Sequence, residues 1–159
     1  MTPRTTLLRA AVVLAFALGA GSLAGCTVSE PDPTPSADLA GELLSAICPA
    51  NAADLAFNTV WSDEASSLEA IVAAATAARD ANAAAAASLD TLAAHWPEDD
   101  RADLAVLQRM YEAKVEDYTV VASATDIEPF YDMVFQNPTA GNAAYERLAQ
   151  RIGTSVDEC

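Results

Sequence analysis

Residues 62–94 read SDEASSLEAIVAAATAARDANAAAAASLDTLAA, and their reading decides the fold. From Asp63 to Ala94 there is neither proline nor glycine, and alanine, the residue of highest helix propensity, recurs throughout. Ser62-Asp63-Glu64 supplies a start, a capping hydroxyl followed by acids that suit the positive end of a helix dipole. Leu68, Ile71, Ala75, Ala78, Asn82, Ala85, Leu89 and Leu92 then recur close to every 3.5 residues, a stripe on which other helices can pack. The pattern predicts one helix of about 32 residues, roughly 48 Å long and the longest in the chain. Its alanine middle buries little area but admits a close neighbour. Asn82, the one polar member, suits a hydrogen-bonded core amide, a register-fixing residue or the lining of a cavity.

Working outward, each flank carries the same helical period. Upstream, Ser36 is a good N-cap, and Leu39, Leu43 and Ile47 recur at i, i+4 and i+8. Pro49 interrupts this stripe before Ala53, Phe57 and Val60 resume it, so a kink or break is expected there. Downstream, His95-Trp96-Pro97 ends the central helix, and Pro97-Glu98-Asp99-Asp100 opens the next. Leu104, Leu107, Tyr111, Val115, Tyr118 and Val121 form its apolar face, with Glu112, Glu116 and Asp117 on the solvated one. Thr125-Asp126-Ile127-Glu128 is a capping-box signature for a short helix through Ile127, Phe130, Tyr131, Val134 and Phe135. Asn137-Pro138-Thr139 breaks it. A last helix, about Ala140 to Ile152, presents Ala144, Tyr145, Leu148 and Ile152 and stops at Gly153.

With 37 alanines among 159 residues and few β-branched side chains, the class is all-α. The expected architecture is an up-and-down bundle of four to five helices over residues 36–159, with the alanine-rich helix as its spine.

The N-terminus follows a different logic. Arg4 and Arg9 precede the apolar run Ala10-Ala11-Val12-Val13-Leu14-Ala15-Phe16-Ala17-Leu18, which is well short of the roughly 20 residues a spanning helix needs. Leu23-Ala24-Gly25-Cys26 then sets one apolar and two small residues before a cysteine. This tetrad resembles the lipobox of bacterial lipoproteins. The resemblance covers residues 1–26 only. It implies a signal peptide over 1–25 cut after Gly25, a diacylglyceryl group on Cys26, and retention on the outer face of the cell membrane. Residues 26–35 would then be a lipidated cysteine and a spacer stiffened by Pro31, Pro33 and Pro35, holding the domain about 25–30 Å from the bilayer. The lipoprotein class shares this signal without sharing a fold or a function.

Removing the leader would leave 134 of the 159 residues, one domain's worth, with six basic residues against 23 acidic ones and a net charge of −17. Such a charge argues against nucleic acid as a partner, since that needs a basic footprint. It disfavours lying flat on an anionic bilayer and suits either plain solubility or a protein partner with a basic surface.

The chain has three cysteines, an odd number for an exported protein. If Cys26 carries lipid, Cys48 and Cys159 remain in an oxidising compartment, and a disulfide between them is expected. In the chain-entropy picture so long a loop is worth about 4–5 kcal/mol. The alternatives are two free thiols, or one thiol as nucleophile with no second histidine to support it.

Few residues suggest chemistry. His95, the single histidine, sits at a helix end, where facing the dipole explains it better than base catalysis without an orienting partner. Glu98, Asp99, Asp100 and Asp103 form the tightest acidic cluster, but a helix start should fan their carboxylates outward, and no calcium loop is present. Neither a metal site nor a cofactor is expected. Tyr111, Tyr118, Phe130, Tyr131, Phe135 and Tyr145 fall on three predicted helices, where they could form core or line a pocket for an apolar or aromatic ligand. Phosphate loops and nucleophile elbows are absent from the sequence. A non-enzymatic, surface-tethered interaction or envelope module is therefore the first functional expectation, and a small-ligand carrier the second.

Overall fold

The computed structural model describes residues 37–126, 128, 135, 136, 138–154 and 159. Among them four helices and no strand occur: α1 (Ala37–Trp61), α2 (Leu68–Ala93), α3 (Glu98–Ala122) and α4 (Thr139–Ile152). The chain is an all-α bundle with one disulfide. The lipobox with Cys26, the proline spacer, and Phe130 and Tyr131 of the expected short helix lie outside the described residues.

α2 is 26 residues long and begins at Leu68, later than the sequence pattern suggests. The cause is a competition between caps. Ser67 holds an extended backbone and its hydroxyl accepts from the Ala70 N–H at 3.2 Å. Asp63 is drawn into a turn, its carboxylate accepting from the Ala65 N–H at 3.0 Å. The expected stripe is otherwise found. Ile71, Ala75, Ala78, Asn82, Ala85, Leu89 and Leu92 are buried, together with Ala86.

α1 runs 25 residues through Pro49 without a break. Proline deprives the Ser45 carbonyl of its helical partner at a cost of about 3 kcal/mol. Both Ser45 and Pro49 face solvent, so water can serve that carbonyl. On the opposite face Leu43, Ile47 and Phe57 are buried. At roughly 1.5–3 kcal/mol each, their burial outweighs the proline.

Around the bundle α1 packs on α2, α2 on α3 and α3 on α4, while α1 and α4 meet only sparsely across the closing seam. α4 approaches α3 so closely that a Cβ on Gly141 would lie 2.5 Å from Met110 Cβ. It ends at Gly153, which takes the left-handed φ of 70° that a C-terminal cap requires. Beyond it, Cys159 returns to Cys48 of α1, with Cα atoms 5.0 Å apart and a sequence separation of 111.

Two acids expected in water are buried instead. Asp100 is 2 % exposed and pairs with Arg151 of α4 at 2.7 Å. Asp117 accepts from the Gln136 N–H at 2.8 Å and so ties the segment before α4 to α3. Charge drew both toward partners that are distant in sequence.

Candidate functional site

The buried apolar residues form two clusters. One gathers Leu43, Ile47, Leu89, Trp96, Leu107 and Leu148 with their neighbours; the other joins Phe57, Ile71, Ala75, Ala78, Tyr118 and Val121. Polar side chains from three helices meet alongside them. Asp54 of α1 accepts from Asn82 Nδ2 of α2 through Oδ1 and from Lys114 Nζ of α3 through Oδ2, both at 2.7 Å. Asn82 Nδ2 also donates to the Ala78 carbonyl at 2.8 Å, so both amide hydrogens are used. Its Oδ1, fully buried, has no donor among the described residues. The expected core amide is therefore found, bonded on one side only.

Tyrosines border this network. Tyr111 donates its hydroxyl to Asn51 Oδ1 at 3.1 Å, and Lys114 Nζ stands 5.1 Å from the centre of its ring. Burial, reinforced by the Asp54 charge, pushes the Tyr111 phenol far above its usual value. Tyr118 is raised by burial first, and then by the charge of Asp54 and a hydrogen bond to it. Both phenols thus stay protonated across the physiological range. Lys114, the only lysine in the chain, faces a carboxylate that neutralises it.

Of the six aromatic residues singled out in the sequence, four are described, and they divide between two places. Tyr118 and Phe135 join Phe57 and Trp61 of α1, with ring centres 5.0–6.1 Å apart in mostly edge-on contacts. This is packed core. Tyr111 is itself buried in the first core cluster and Tyr145 packs against it, and both also border a cleft of about 270 Å³ between α1, α3 and α4, with Asn51, Lys114, Asn142 and Glu146 among the walls. Phe130 and Tyr131 lie outside the described residues. A second cleft of similar size lies between α3 and the start of α4, lined by Arg109, Met110, Lys114 and Gln136 among others.

His95 is exposed just after α2 and borders an open groove with Glu42, Ser45, Ser88 and Thr91. The acidic cluster is dispersed by ion pairing. Asp103 receives Arg147 Nε at 3.0 Å and Nη2 at 2.6 Å, while Asp100 holds Arg151. Hydrogen bonding from Arg147 keeps the Asp103 carboxyl below its usual value. Among the described residues no group of three or more His, Cys, Asp or Glu is placed to hold a metal ion, and no helix is long and apolar enough to cross a membrane.

Sequence reasoning missed Asp54, Asn51 and Lys114 as a group. The available signal was the solitary lysine on an alanine-rich chain, which left no other ammonium to meet a buried carboxylate. No family model matches the chain, and none of the curated proteins or solved structures compared with it matches either.

Proposed function

We propose that the chain is a lipid-anchored, extracytoplasmic helical lipoprotein whose bundle serves as a non-enzymatic interaction or envelope module. The observation that carries this reading is the pairing of Cys48 with Cys159. A disulfide of that kind belongs to an oxidising compartment, and it leaves Cys26 as the one remaining thiol, directly behind an apolar run and two small residues. The bundle supports the same reading. Three of its acids are engaged by bases on other helices, in Asp54–Lys114, Asp103–Arg147 and Asp100–Arg151, which leaves most of the acidic excess unpaired. A net charge of −17 after loss of the leader suits a partner with a basic surface.

Fractionation of cells expressing the full chain and a Cys26→Ser variant tests the anchor. The unmodified chain is expected in the membrane fraction, released by detergent and not by salt, and the variant should not be anchored by lipid. Salt release of the unmodified chain would contradict the proposal.

A second reading, a carrier for a small ligand, is favoured by the cleft between α1, α3 and α4 that Tyr111 and Tyr145 border. Native mass spectrometry of protein purified from its own host should then show a retained mass that Tyr145→Ala loses. A bare protein mass in both samples would count against the carrier.

A further inference from the structure

The α1–α4 seam is closed in a different way from the other helix contacts of the ring. α4 has its own hold on α3: the two-point Arg147–Asp103 pair, the Arg151–Asp100 pair, and the close approach at Gly141 and Met110. Against α1 its packing is sparse, and a covalent bond bridges the gap from the tail that follows α4. Cys48 is half-buried, whereas Cys159, the last residue, is exposed. The bond is thus more open on the Cys159 side, and exposed disulfides are the more easily reduced ones.

The three long helices are also joined to one another by contacts that do not involve this bond. The Asp54–Asn82–Lys114 network spans α1, α2 and α3, and the cluster around Phe57, Ile71, Tyr118 and Val121 lies within the same three helices. Between α1, α3 and α4 lies the cleft lined by Asn51, Tyr111 and Tyr145 among others.

We propose that the Cys48–Cys159 disulfide is a redox latch: its reduction frees the tail and lets α4 part from α1, opening the seam while α1, α2 and α3 stay folded. A dithiol reductant supplies the chemistry. One of its thiolates attacks the Cys159 sulfur, forming a mixed disulfide and expelling the Cys48 sulfur as a thiolate, which takes a proton. Its second thiol then attacks the mixed disulfide and frees Cys159, and the reagent leaves as a cyclic disulfide. Two electrons and two protons pass from the dithiol to the protein.

The test is amide hydrogen exchange on the purified full chain before and after dithiothreitol, with peptide mapping of alkylated Cys48 and Cys159 and far-UV circular dichroism. Exchange in α4 and in α1 near Cys48 should accelerate by about tenfold or more, with α2 and α3 changed by less than about twofold and helicity retained. A Cys48→Ser, Cys159→Ser double variant should reproduce that pattern without reductant. Unchanged exchange everywhere would overturn the latch. So would loss of helix or uniform acceleration in all four helices, which would make the bond a staple of the whole fold.

Discussion

Lys114 of α3 reaches across the bundle to Asp54 of α1, Nζ to Oδ2 at 2.7 Å, although 60 residues separate them in the chain. Asn82 of α2 bonds the same carboxylate, so one acid of α1 links three helices. Only 13 % of the Asp54 side chain is exposed. Removing its cation strands a charge that is nearly buried.

Lys114→Met should therefore lower unfolding stability by about 2–3 kcal/mol, a little under the fully buried case because water still reaches the pair. Adding Asp54→Asn removes the stranded charge and should restore most of that loss. Urea melts of the two single variants and the double variant give the coupling. A Lys114→Met protein within about 0.5 kcal/mol of the parent would mean that the pair contributes nothing.

Gly141 is set by contact and not by turn geometry, since it lies inside α4 and the new methyl would meet Met110 Cβ at 2.5 Å. A Cβ cannot rotate away, so α3 and α4 must separate. Gly141→Ala gains up to about 1 kcal/mol of helix propensity, yet overpacking costs about 1–3 kcal/mol. The expected net is destabilisation of about 1 kcal/mol, with exchange in α4 rising first. A stabilised variant in thermal melts would show that the helices are free to move apart.

Acid should loosen α4 before the rest. Hydrogen bonding from Arg147 holds the folded pKa of Asp103 below its ordinary 3.8. The stability this contributes is fully present above 3.8 and disappears as pH falls through the lower folded value. Half of the Arg147 side chain is in water, so the effect is small and shrinks with salt. Asp103→Asn should flatten the acid limb of a stability–pH curve below about pH 4. An unaltered limb would remove Asp103 from the explanation.

Alkali should act on the two buried phenols. Tyr111 and Tyr118 both titrate above the ordinary 10.0 in the fold, chiefly because burial disfavours the phenolate. The unfolded chain ionises first, so their contribution is intact below pH 10.0 and fades as pH climbs toward the folded values. Tyr118→Phe should reduce the steepness of the loss above about pH 10, read by urea midpoints at successive pH values. Equal slopes for the variant and its parent would contradict this assignment.

Much of the bundle was legible because one-dimensional periodicity reports which face of a helix is buried. Ile71 through Leu92 on α2, and Leu104, Leu107, Tyr111, Tyr118 and Val121 on α3, lie in the core where their spacing puts them. Local chemistry was less decisive. Ser62 and Ser67 are equally good caps on paper, and Asp63 settles the matter by bonding Ala65 in a turn. The continuous α1 depends on tertiary burial outweighing Pro49, which no window around the proline contains. Asp100 and Asp117 look solvated until α4 brings Arg151 to one and the preceding segment brings the Gln136 N–H to the other. The polar network was hidden for the same reason. Asp54, Asn82 and Lys114 come together only once the register of three helices is known.

The pairing of Cys48 with Cys159 and the proposed loss of Cys26 to lipid divide the three thiols completely. Intact mass spectrometry with thiol counting, on protein extracted from host membranes, reads both at once. The expected species starts at Cys26, carries a diacylglyceryl group there, and has no free thiol until a reductant exposes two. A mature chain with unmodified Cys26, or one titrating three thiols before reduction, would contradict it.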